Sequence, residues 1–247
     1  MIITVAQQKG GVGKTTTALS LAAIAARAGR RVLAVDIDPQ FALTRQIGVD
    51  TRSLPLSIVD VLAGRVSATD AIITNVHGVD VLPAARELTS VELALVGEMS
   101  RENFLRDALA PLAYDAIIID TPPNLGLLTV NALVPAEIVV APVSAGDEGA
   151  AQGLAELRAT IAKLTRLRAT LPQLVVILTK WQRGRVVGSA IEEAILELGP
   201  ELTLTVRVPL RSVVERAAID RIPMPLAAPD SPPAIAYHQL AQELALC

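Results

Sequence analysis

Apolar residues along this chain fall into two patterns. Short, nearly continuous runs of Val, Ile, Leu and Ala occupy residues 2–6, 31–36, 79–82, 116–120, 138–142, 174–179 and 205–208. Strands that lack polar alternation are expected where helices cover both faces of a parallel sheet. Between these runs lie longer segments with apolar residues at helical spacing, among them 14–28, closed by Gly29 as a C-cap, and 150–167. No repeat, low-complexity tract or long linker interrupts the alternation. It predicts one α/β domain over residues 1–247, a doubly wound, mostly parallel sheet with helices on both faces. The Pro-rich tract 223–233 reads as a loop, and a helix at about 234–246 is expected to pack back on the sheet.

Composition sharpens this picture without changing it. At 247 residues with 51% hydrophobic and only 2% aromatic content, the core has to be built from Ala, Val, Leu and Ile. A net charge of −3 argues against a globally basic nucleic-acid binder and leaves room for a local patch. The single cysteine, Cys247, rules out a disulfide framework within the chain and metal or iron–sulfur sites built from several thiolates, and suits a reducing cytoplasm. A signal peptide does not fit a chain whose glycine-rich loop begins within its first ten residues. The longest uncharged stretch, 121–136, is broken by prolines and an asparagine and is too short to span a bilayer, so no membrane segment is expected.

The chemistry concentrates in Lys9-Gly10-Gly11-Val12-Gly13-Lys14-Thr15-Thr16, directly after the first apolar run. Its glycines allow backbone angles closed to other residues, so successive N–H groups can converge on a polyphosphate at the positive end of the next helix. Lys14 is then placed for β/γ-phosphates and Thr15 for Mg²⁺. The usual G-x-x-x-x-G-K-[ST] spacing is not met, because its first glycine is replaced, and Lys9 is a second lysine that an ordinary phosphate loop does not need. Two acidic sites follow at strand ends, where open α/β sheets place ligands: Asp36-Ile37-Asp38-Pro39-Gln40 and Asp120-Thr121-Pro122-Pro123. A carboxylate leaving a buried strand is costly unless it meets a cation, a water or a backbone donor, and Mg²⁺ on the phosphates supplies that partner.

These three segments, with Leu125-Gly126-Leu127-Leu128-Thr129-Val130-Asn131-Ala132-Leu133 and the closing Ala236-Tyr237-His238-Gln239-Leu240-Ala241-Gln242-Glu243-Leu244, resemble the ParA/Soj group of deviant-Walker P-loop ATPases, which belongs with MinD. The likeness covers the whole chain. It implies an ATP/ADP and Mg²⁺ site in which Gly10, Gly11, Val12, Gly13, Lys14, Thr15, Thr16 and Asp120 bind nucleotide. Thr15 contacts the metal directly, and Asp36 and Asp120 do so through water. Asp38 positions the attacking water, and residues 120 to about 131 form switch II. Lys9 corresponds to the signature lysine that crosses an ATP-sandwiched homodimer to touch the partner subunit's nucleotide, a second cation in trans comparable to an arginine finger.

The same resemblance implies slow ATP hydrolysis stimulated by a ParB-like adaptor, nonspecific DNA binding, and a cytoplasmic, nucleoid-associated protein. For DNA contact it points to Arg183, Arg185, Arg211 and Arg216. The six arginines between 183 and 221 are matched by six acids, however, so only spatial segregation could make a patch. Arg158, Lys163, Arg166 and Arg168 offer a second basic cluster without intervening acids. The chain departs from the family at Phe41-Ala42-Leu43-Thr44, where Gly-Asn-Ala-Thr is usual, at Trp181, where an Asp is common, and at Val213, where an Arg is often found. For Phe41 packing is the expected role, and for Trp181 a half-buried place at a strand end. No N-terminal helix-turn-helix domain is expected, and with it no operator-specific autoregulation.

Rival readings remain open to different degrees. A MinD-like membrane positioner uses a basic amphipathic C-terminal helix, and 231–247 contains no Lys or Arg. Iron–sulfur and nitrogenase-reductase-like relatives need paired cysteines. A ligase on the same scaffold has no evident use for Lys9, and ParA-like positioning of a protein cargo stays an alternative to DNA.

Overall fold

The apolar runs become strands. In a computed structural model that describes residues 1–147, 149–182, 186–199 and 203–247, the chain runs β1 (Ile2–Val5), α1 (Lys14–Arg27), β2 (Val32–Asp36), α2 (Ala42–Gln46), α3 (Ile58–Leu62), α4 (Ala68–Ala71), β3 (Ile73–Val76), β4 (Val79–Leu82), α5 (Leu88–Leu95), α6 (Phe104–Leu109), β5 (Ala116–Asp120), α7 (Leu127–Leu133), β6 (Ile138–Ser144), α8 (Ala150–Lys163), β7 (Gln173–Trp181), α9 (Val186–Glu197), β8 (Thr203–Pro209), α10 (Ser212–Asp220), α11 (Met224–Ala227) and α12 (Pro232–Glu243). The strands form one sheet in the order β3-β4-β2-β5-β1-β6-β7-β8. All neighbours are parallel except β3 and β4.

Alternate side chains of each strand serve opposite faces. Ile3, Val5, Ala34 and Ile118 pack on α1 and α12, while Leu33, Val35, Ile117 and Ile119 pack on α3, α5, α6 and α7. A third apolar cluster joins β6 and β7 to α8. Helix α1 is buried along nearly its whole length, and its alanines let it sit between the sheet and α12. There the fully buried Tyr237 hydroxyl shares a 3.0 Å hydrogen bond with Thr17 Oγ1.

The structure adds one strand that the sequence pattern concealed. β3 is only four residues, with Thr74 and Asn75 exposed and positive φ at Asn75, His77 and Gly78, so it has neither a continuous apolar run nor regular alternation. It covers the edge of β4 as a short, polar edge strand. The tract expected to be a loop is also partly helical: α11 lies within it, and α12 begins at Pro232 with Ser231 as N-cap. Proline in a first helical turn loses no hydrogen bond, because the first N–H groups have no intrahelical acceptor. The helix expected at 150–167 runs to Lys163 and ends in a 3-10 turn.

This topology brings the carboxyl ends of β2, β5 and β1 side by side. α1 carries the chain from β1 past β5 to β2, and α7 carries it from β5 past β1 to β6, on the opposite face. Leu240 in α12 has no exposed surface and closes the packing against α1. Replacing it with alanine is expected to cost about 2–5 kcal/mol in a urea unfolding titration, with the slope unchanged.

Candidate functional site

The loop from β1 to α1 turns on two left-handed glycines, Gly11 at φ 71° and Gly13 at φ 94°. Gly13 lies against Thr179, whose Oγ1 donates to Val12 O at 2.7 Å and ties the loop to the end of β7. Gly13 is the N-cap of α1 and supplies no side-chain acceptor, so the first N–H groups of that helix are left for a ligand. Lys14 is nearly buried, and its Nζ donates to Lys9 O at 3.0 Å across the loop. Burial lowers the Lys14 pKa, while the Asp120 and Asp38 carboxylates pull it the other way.

Beneath the loop, Asp36 and Asp120 end adjacent strands in register, and neither has exposed surface. Asp36 Oδ2 accepts from Thr44 N at 2.8 Å and Thr44 Oγ1 at 2.7 Å, and its Oδ1 accepts from Asp38 N at 3.1 Å. Burial nevertheless pushes its pKa up to about 6. Asp120 Oδ2 accepts from Thr15 Oγ1 at 2.6 Å, whereas Oδ1, among the described residues, is buried without any partner. Its pKa lies well above the ordinary carboxylate range, first through burial and then through the charge of Asp36. Asp38 stands nearer the surface, fixed by Gln40 N at 2.9 Å, and burial raises its pKa as well. A buried oxygen with no donor, beside a threonine hydroxyl and under a helix N-terminus, is the donor set of a hydrated Mg²⁺ held by phosphates. The residues fit that metal.

A cavity of about 350 Å³ extends from the loop and Asp38 toward Lys180, Pro209, Leu210 and Val214. Its far end, with Tyr237 in the wall, was not evident from the sequence, because it depends on where β8 and α12 end up. Thr44 was concealed differently: it belongs to the Phe41–Thr44 stretch whose first residue drew attention, while Thr44 itself holds Asp36 and also accepts from Ala84 N at 2.9 Å. Phe41 packs against the core beside α3 with the Arg45 guanidinium 5.9 Å from its ring centre. Trp181 is half-buried against the β6–β7 cluster, outside the cavity wall.

Lys9 leaves the loop outward, its side chain 56% exposed, and its ammonium pairs with the nearly buried carboxylate of Asp147 in the β6–α8 connection. Among the arginines expected at DNA, Arg183 and Arg185 lie outside the described residues. Arg211 lines the mouth of the cavity, and Arg216 pairs with Asp220 one turn along α10 at 2.9 Å. In the second cluster, Arg168 donates to the last carbonyls of α7, Val134 O at 3.0 Å among them, and Arg158 donates to Leu198 O. Lys163 and Arg166 stay exposed. No helix among the described residues is long and apolar enough to cross a membrane.

Comparison with known proteins matches residues 1–173 to a family described as an AAA domain. The chain is 37% identical over 248 residues to the sporulation initiation inhibitor protein Soj of Bacillus subtilis, which covers 99% of this chain and 98% of that one. It is 41% identical over 197 residues to the chromosome partitioning protein ParA of Myxococcus xanthus, 78% of this chain and 69% of that one. Among solved structures, cobyrinic acid a,c-diamide synthase of Mycobacterium smegmatis with bound ADP and magnesium superposes with a TM-score of 0.81 at 33% identity, covering 99% of this chain and 93% of that one.

The buried carboxylate pair generates a pH-dependent prediction. Asp120 has a folded pKa above its ordinary value of 3.8, so the native state holds its proton longer than the unfolded chain, and stability falls as the pH rises above 3.8. Asp120→Asn is therefore expected to melt higher than the parent at pH 7 without nucleotide, with the gap closing toward pH 4. A thermal-melt series between these pH values checks it; a variant that melts lower at pH 7 contradicts the account.

Proposed function

The chain belongs to the ParA/MinD family of P-loop ATPases, with the Soj and ParA partition proteins, and from that premise we propose that it is an ATP-driven partitioning switch. ATP with Mg²⁺ occupies the cavity above the loop, and the loaded chain pairs with a second copy as a nucleotide sandwich. The pair binds nucleoid DNA without sequence preference, and a ParB-like partner on the cargo stimulates hydrolysis. The observation that carries the nucleotide site is the buried Asp120 oxygen, without a donor among the described residues, beside Thr15 and under the left-handed loop. We assign the whole of residues 1–247 to this one switching domain.

Each residue has a task in this reading. Backbone N–H groups of Gly10 to Thr16 and the Lys14 ammonium take the phosphate charge. The metal's contribution, once bound by Thr15 with Asp36 and Asp120 in its outer shell, is to neutralise charge on the phosphates. Asp38, at the cavity edge and fixed by Gln40 N, orients the attacking water. Lys9 supplies the remaining cation in trans, so its pair with Asp147 has to open when two chains meet. That requirement ties hydrolysis to dimerisation.

DNA cargo is favoured over protein cargo by the Soj and ParA relatives, and Arg211 at the cavity and the exposed Arg216 on α10 are the described candidates for phosphate contact. The likeness to a synthase supports the shared Mg-nucleotide scaffold, and Lys9, for which a ligase has no evident use, favours the switch.

Two variants test the proposal. Lys14→Ala is expected to abolish binding in a fluorescent-ATP titration. Asp38→Ala with ATP is expected to elute as a dimer in size-exclusion chromatography and to be retained on DNA with affinity that falls steeply with salt. A persistent monomer, or no retention even at low salt, contradicts the dimer or the DNA claim respectively.

A further inference from the structure

Away from the nucleotide cavity, a groove of about 870 Å³ opens between α3 and α5. Its floor is apolar, made by Leu56, Val59, Leu62, Val91, Leu95 and Phe104. Its charged groups are unequal. Arg65 is neutralised by Asp60 at 3.2 Å within the groove, whereas Glu87 and Glu98 are exposed and make no ion pair among the described residues. An apolar trench flanked by two free carboxylates complements an extended or helical segment that carries Leu-like side chains and Arg or Lys together. A second copy of this chain suits it less, since the chain is itself net negative at −3.

The groove is also wired to the nucleotide site. Helix α5 forms one wall with Val91, Ala94 and Leu95, and its Glu92 reaches the other way, where Glu92 Oε1 accepts from Leu128 N at 3.4 Å in the first turn of α7. Gly126 permits this approach, because a Cβ there would stand 2.9 Å from the same oxygen. Residues 121–126 connect that turn directly to Asp120. A segment lying in the groove therefore bears on the helix that holds the start of α7.

We propose that the α3–α5 groove is the docking site of the stimulating partner, which enters as a cationic amphipathic segment and acts on the 121–128 connection through Glu92. This rests on the partner-stimulated switch proposed above. The test uses a fluorescein-labelled synthetic peptide of alternating Leu and Arg residues, with a Leu/Glu peptide as control, and reads anisotropy and ATP turnover with the full chain. The cationic peptide is expected to bind and raise turnover. Glu87→Lys with Glu98→Lys is expected to weaken binding by about tenfold or more, the scale of losing close charge pairs. Reversing Asp50, paired with Arg52, and Glu243, both exposed and outside the groove lining, serves as the control for bulk charge and is expected to change little. Glu92→Ala, which removes the acceptor for Leu128 N, is expected to bind the peptide as the parent does and to lose the rise in turnover.

Equal binding by the groove variant, equal binding of the acidic peptide, or dimerisation through Glu87 and Glu98 without peptide would overturn the proposal. A rise in turnover that survives Glu92→Ala would overturn its coupling. ATP binding and DNA retention are measured on the same proteins, so failure of the switch reading shows in those assays while anisotropy still scores the groove.

Discussion

Two carboxylates share a place that water does not reach. Asp36 and Asp120 terminate neighbouring strands in register, both without exposed surface, and burial raises the pKa of each. Removing an ion from water costs several kcal/mol even after the protein relaxes, and a like charge alongside adds to it. Only part of this is offset inside the chain, by Thr44 and the Asp38 amide on one carboxylate and by Thr15 and the charge of Lys14 on the other. The uncompensated remainder defines the site, since a divalent cation carried in with phosphates relieves both charges. The sheet order explains why the pair exists: β2 and β5 are adjacent, and β1 delivers the phosphate loop beside them.

The same economy governs the helix that follows Asp120. α7 is held at its far end by Arg168 on its terminal carbonyls and by Thr4 Oγ1 on Ala132 O at 2.6 Å, and in its middle by Asn131, which accepts from Leu105 N and donates to Arg101 O. Its first turn is held by Glu92 on Leu128 N, by the Thr129 hydroxyl on Asn124 O, by Asn131 Nδ2 on Leu127 O and by the full burial of Leu128. The end that faces the nucleotide is thus tied by side-chain hydrogen bonds both to α5 and to the connection that follows Asp120. On the proposed reading this is where γ-phosphate and partner are both felt.

Much of this was legible in the residues. Continuous Val/Ile/Leu runs marked the parallel strands, because burial on both faces leaves no room for alternation, and Gly, Lys and Thr at fixed spacing marked the loop. Asp36, Asp38 and Asp120 stood out as carboxylates at the ends of apolar runs. β3 escaped because an edge strand with exposed Thr74 and Asn75 carries no apolar signal. Asp147 escaped because its meaning is a tertiary pairing across 138 residues with Lys9. Thr44 and the far cavity wall escaped for the same reason: a hydroxyl or a strand end has no pattern until the fold brings its partner to it. The α3–α5 groove is likewise a property of packing, with an acidic rim contributed by residues scattered through α5 and its flanks.

The central claim is that Lys9 of one chain completes the nucleotide site of another. Mixing Lys9→Ala chains with Asp38→Ala chains tests it most directly, because each variant lacks a different part. A mixed dimer has one whole site, formed by the intact Asp38 of the first chain and the intact Lys9 of the second. Each variant alone is expected to be inactive, and an equal mixture is expected to recover about a quarter of the parent turnover, since half of the dimers are mixed with one working site each. A mixture no more active than its separate components would contradict the account.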